Sequence, residues 1–157
     1  MKRLPIFTVL FALGFPLQAN PVEESQIILT RGANDTINAD WVGVDGRSYF
    51  VQCSLELQNW FHAPVVEHGL GVKSYGMQST SPKLFLRLSH TDVPPIAGNA
   101  EAMDFDGDGL PSLFEVSIFG TDPLVIDTDG DSTDDGDEYS NPSLNAVADL
   151  QIFTPLQ

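Results

Sequence analysis

The sequence predicts a mainly β protein, a small antiparallel β-sandwich followed by an irregular acidic segment with short helical turns. Three observations carry this prediction. Residues 25 to 92 contain six short runs rich in Ile, Val, Phe, Tyr and Thr, separated by Gly, Asn, Asp and Pro. From Leu88 onward there are fifteen acids and no Lys or Arg, so this stretch carries the whole formal charge of −15. Within it, one block of residues returns after an interval of twenty-three positions.

The chain opens with MKRLPIFTVLFALGFPLQAN: two bases, an apolar run from Leu4 to Leu17, then Gln18 and Ala19. That order predicts a secretory signal peptide over residues 1–19, with the mature chain beginning near Asn20. The run is too short and too broken by Gly and Pro for a comfortable membrane span, so no stable span is expected after cleavage. The expected location is secreted, extracellular or cell-surface, with the periplasm also open.

Residues 20–92 form the expected β-sandwich domain. Its runs are SQIILTR, TINADWVGV, RSYFVQCS, WFHAPVV, KSYGMQS and KLFLRLSH. In the last of these, Leu84, Leu86 and Leu88 alternate with Phe85, Arg87 and Ser89, the period of a half-buried strand. Cys53 is the only cysteine, which rules out an intrachain disulfide. Its alternation with Tyr49, Val51 and Leu55 marks it as a small core residue, the other reading being an intermolecular disulfide. His62, Glu67 and His68 are candidates for a metal or acid/base cluster, but three histidines scattered among turns read better as surface residues.

Residues 93–101, with two prolines and a glycine, predict a linker. Beyond it, DFDGDGLPSLFE at 104–115 is matched by DTDGDSTDDGDE at 127–138, with VSIFGTDPL between: a short helical turn ended by Gly120. Calcium takes six to eight oxygen ligands, and a twelve-residue EF-hand-like loop supplies them from positions 1, 3, 5, 7, 9 and 12. Counted from Asp104, those positions are Asp104, Asp106, Asp108, the Leu110 carbonyl, Ser112 and Glu115. Counted from Asp127, they are Asp127, Asp129, Asp131, the Thr133 carbonyl, Asp135 and Glu138.

Position 6, which favours glycine because the turn needs a positive φ, is Gly109 in the first loop and Ser132 in the second. Two Ca²⁺ sites are therefore expected, the second weaker. Magnesium prefers to keep several waters, and zinc would want the His or Cys that neither loop has. The competing reading, a solvated acidic tail, gives no reason for Leu110, Leu113, Phe114, Val116, Ile118 and Phe119 to be interleaved with the acids.

The pattern DxDGDGLPxxxE, then GTDPL, then DTDGDxxxDGDE resembles the thrombospondin type 3 calcium-binding repeats of secreted and surface bacterial proteins, over about residues 102–143. The resemblance implies one calcium held by Asp104, Asp106, Asp108 and Glu115 and another by Asp127, Asp129, Asp131, Asp135 and Glu138. Ser112, Ser132 and the SNPS at 140–143 depart from the family pattern. GRSYFVQCSLELQNW with KLFLRLS is similar, more loosely, to the fibronectin-type-III-like modules that accompany such repeats. The complete expectation is a small antiparallel β-sandwich followed by an irregular calcium-binding repeat segment with short helical turns.

The functional expectation is a calcium-binding structural or adhesion-type protein, its C-terminal segment ordered by Ca²⁺, with cell-surface or polysaccharide components as partners. A basic nucleic-acid surface is excluded for the acidic stretch, since counterion release from phosphates needs Lys and Arg. No nucleophile elbow, His-Glu-x-x-His or phosphate loop is present, so no enzyme is expected. The alternative is a carbohydrate-binding module built on Trp41, Tyr49, Trp60 and Phe61. The tail 144–157 alternates apolar and polar residues and is read as a returning strand.

Overall fold

The computed structural model describes residues 26–141, so the expected signal peptide at 1–19 and the tail at 144–157 lie outside the described residues. All six expected strands are present: β1 Ile28–Arg31, β2 Thr36–Gly43, β3 Ser48–Ser54, β4 Phe61–His68, β5 Gly71–Gln78 and β6 Phe85–Thr91. They form two antiparallel three-stranded sheets, in the orders β1-β2-β5 and β4-β3-β6. No helix among the described residues is long and apolar enough to cross a membrane.

Alternation sends every second side chain between the sheets. Ile37, Ala39 and Trp41 from β2 meet Tyr49, Val51 and Cys53 from β3, with Ala63, Leu84 and Leu86 completing the core. Cys53 is buried there, as expected from its spacing, and burial pushes its thiol up to about 11. Trp41 and Tyr49 pack at a centroid distance of 6.2 Å.

Strand β3 is buried along its whole length, on both faces. The inner face meets the other sheet. On the outer face, Phe50 joins Val66 of β4 in a second core with Ala100 and Val116, and Phe105, Leu113 and Leu124 pack against it. Phe50 meets the Phe105 ring edge-on, centroids 6.0 Å apart. The acidic segment is thus a third layer laid on the sandwich. The expected linker delivers Ala100 directly into the shared core.

Two short helical elements punctuate this layer. The first, α1, runs Ser112–Phe114 and widens into a π-type turn over Glu115–Phe119, closed by a Gly120 amide to Glu115 carbonyl bond of 2.7 Å. Gly120 takes the left-handed conformation, φ +75°, that ends the helix. The second, α2, is Asp135–Ser140. Phe114, Phe119 and Tyr139 form a mutually edge-on trio with centroids 5.0 to 5.5 Å apart, tying α2 to the first repeat.

Candidate metal centre

The two acidic loops repeat in hydrogen bonding as well as in sequence. Asp104 accepts from the amides of Gly107 (2.6 Å) and Gly109 (3.1 Å), and Asp127 accepts from those of Gly130 and Ser132, both at 2.8 Å. Asp106 and Asp108 each accept from the amide two residues on, as do Asp129 and Asp131. These Asx turns explain why Asp recurs at every second position: each carboxylate caps the turn that presents the next. The loops close alike, the Ser112 amide on the Met103 carbonyl and the Asp135 amide on the Ile126 carbonyl. Ser132 takes φ +82°, matching Gly109 at +97°.

Among the described residues, three groupings of carboxylates result, each with one oxygen per residue within 4.8 Å of the others: Asp104, Asp106 and Asp108; Asp108, Glu115 and Asp135; and Asp127, Asp129 and Asp131. Oxygens bound to one calcium at about 2.3–2.6 Å stand at most about 5 Å apart, so this spacing fits a hard cation. Asp108 belongs to two groupings. Asp135, expected to serve the second loop, meets Asp108 and Glu115 of the first, although the charges of Asp127 and Asp129 also act on it. Glu138 is buried outside these groupings, and the Ser112 hydroxyl donates to the Met103 carbonyl at 2.7 Å. Leu110 is buried and its amide donates to Asp108, as the Thr133 amide does to Asp131.

The two loops differ in electrostatics. Asp106 Oδ2, Asp108 Oδ2 and Glu115 Oε2 are buried with no hydrogen-bond donor, and Glu115 has no exposed surface. Burial, then the neighbouring charges of Asp106 and Asp108, push Glu115 up to about 9. Burial also raises Asp106 to about 6 and moves Asp108 and Asp135 upward. In the second loop, Asp129 and Asp131 are exposed, and the Ser132 and Gly130 amides hold Asp127 below the usual range.

The spacer between the loops has a role that its turn grammar did not reveal. Thr121 is buried and donates to Glu115 Oε1 at 3.3 Å. The Asp122 carboxylate lies 3.6 Å from His62 Nε2 and accepts from the Leu124 amide. Burial opposes its charge, but His62, the Leu124 amide and Arg87 outweigh burial and hold it below the usual carboxylate range. His62, expected at the surface, is only 4 % exposed, because the turn covers it; Gln52 Nε2 lies 2.8 Å from its ring.

The aromatics of the alternative sugar platform are largely committed elsewhere. Trp41 and Tyr49 are buried, Phe61 packs on the core, and Trp60 has the Arg87 guanidinium over its ring at 4.1 Å. No protein-family model, curated protein or solved structure matches the chain.

Proposed function

We propose that this chain is a secreted, non-enzymatic calcium-binding protein of structural or adhesion type, in which Ca²⁺ orders the acidic repeat segment against the β-sandwich. One observation carries the reading. Asp106 Oδ2, Asp108 Oδ2 and Glu115 Oε2 are buried with no hydrogen-bond partner, in two carboxylate groupings that share Asp108. Buried acceptors are ordinarily satisfied, and a carboxylate placed beside other carboxylates is costly unless a cation joins them. The chain offers no Lys or Arg after Arg87 to serve as that cation.

An all-oxygen donor set selects a hard ion, and an all-carboxylate cage suits calcium better than magnesium. Asp104, Asp106, Asp108 and Glu115, with Asp135 from the second repeat, would hold the first ion; Asp127, Asp129 and Asp131 would hold the second. Binding converts carboxylate repulsion into folding free energy, at extracellular affinities of about 10⁻⁴ to 10⁻³ M. The test is isothermal titration of the mature protein with CaCl₂ and with MgCl₂, repeated on Asp104→Ala and Asp127→Ala. Heat with calcium that Asp104→Ala reduces supports the reading. Identical thermal unfolding in EGTA and in millimolar Ca²⁺ removes it.

A further inference from the structure

We infer that Asp122 and Thr128 are positioning residues for the acidic centre, and that through Asp122 the β-sandwich sets the centre's cation affinity. The inference rests on the calcium reading and asks what holds that site in shape. The Asp122 amide donates to Thr128 Oγ1 at 2.9 Å. With its oxygen accepting there, the single Thr128 hydroxyl proton is directed to Asp135 Oδ2, at 2.7 Å, while the Thr128 amide takes Asp135 Oδ1 at 3.1 Å. Both oxygens of the carboxylate that reaches Asp108 and Glu115 are therefore oriented by one residue. Outer contacts of this kind fix a ligand's direction and its basicity.

The other end of the line is the sandwich. The Asp122 carboxylate faces His62 of β4 at 3.6 Å, and Arg87 of β6 adds a charge on the same side. Arg87 Nε donates to Gln52 Oε1 at 2.6 Å, and Gln52 Nε2 lies 2.8 Å from His62 Nε2. The guanidinium also covers Trp60. His62 of β4 and the charge of Arg87 of β6 thus act on one side of Asp122, with Gln52 of β3 contacting both of those side chains, and the centre hangs from the Asp122 main chain on the other. By reciprocity, a cation that tightens Asp135 must stiffen the contacts of Asp122 with His62, next to Trp60 and Arg87.

Calcium titration of the full mature chain tests this with Thr128→Val, Thr128→Ser, Asp122→Asn and the Asp122→Asn/Thr128→Val pair. Thr128→Val and Asp122→Asn should each weaken Ca²⁺ binding about ten-fold. Thr128→Ser, which keeps the hydroxyl, should bind like the parent. The double variant should be no weaker than the weaker single one, because both changes cut the same line. Parent-like affinity in Thr128→Val, or losses that multiply in the pair, would overturn the inference while leaving the calcium reading standing. A parent chain that takes up no Ca²⁺ would overturn both.

Discussion

Gly136 of the second repeat lies directly against the main chain of Asp108 in the first: a β-carbon at Gly136 would overlap the Asp108 carbonyl oxygen and sit 2.8 Å from its carbon. This close approach lets Asp135, one residue earlier, reach Asp108 and Glu115. The obstacle is backbone, which cannot swing aside as a side chain would. Gly136→Ala should therefore destabilise the protein by about 1–3 kcal/mol despite alanine's better helix propensity. Urea unfolding with Ca²⁺ present checks it; unchanged stability would mean that the repeats do not seat on each other.

Glu115→Gln should have opposite effects with and without the ion. In EGTA, replacing a fully buried carboxylate among like charges by a neutral isostere should raise the melting temperature. With calcium, the stabilisation from binding, about 2.7 kcal/mol for the parent at a hundredfold excess over Kd, should shrink. An idle solvated acid would shift neither scan.

The pH dependence of the calcium-free protein follows from the same group. Glu115 is raised from 4.5 to about 9, so between those values the folded state holds more proton than the unfolded state. Stability must then fall as pH rises through that window. Asp106, raised to about 6, adds to the lower part of it. His90, lowered by burial, works the other way near its ordinary 6.5. Comparing the parent with Glu115→Gln in EGTA between pH 5 and 9 cancels His90. The parent should lose stability more steeply with rising pH, and Ca²⁺ uptake at neutral pH should release protons, read from titration heats in buffers of different ionisation enthalpy.

Ser132→Gly should stabilise the second loop. A side-chain residue at φ +82° bears a steric penalty that glycine avoids, and the equivalent Gly109 shows the loop's preferred shape. A gain of about 1 kcal/mol is expected, with tighter binding at the Asp127 grouping. A loss of stability would mean that the Ser132 side chain supports the loop in another way.

Phe50 joins the sandwich to the acidic layer, and Phe50→Ala should cost about 3–5 kcal/mol. Because its outward face covers Phe105 and Val116, the variant should also separate one thermal transition into two, seen as a mismatch between near-ultraviolet circular dichroism and calorimetry. A loss below 1 kcal/mol would show that the layer does not depend on this ring.

Much of this architecture was readable from neighbouring residues. Alternation placed Leu84, Leu86 and Cys53 inward, since a strand's period does not depend on what it faces. The Asp-x-Asp-x-Asp spacing indicated the loops, because each Asx turn closes within five residues. The left-handed need at position 132 was visible as well, being local sterics. What the pattern did not reveal was the burial of both faces of β3, the covered His62, or the partners of the Gly120–Pro123 turn.

The amino-acid order alone therefore determined the strands, the two acidic turns and the absence of any basic side chain to neutralise them, all properties of short segments and composition. Which carboxylates share a centre was decided only in three dimensions. Asp135 meets Glu115 because Gly136 passes over Asp108 and Thr128 bonds to the turn that His62 anchors, contacts that arise only when both repeats pack on the outer face of β3. Charge convergence depends on distance in space, and that distance is set by packing.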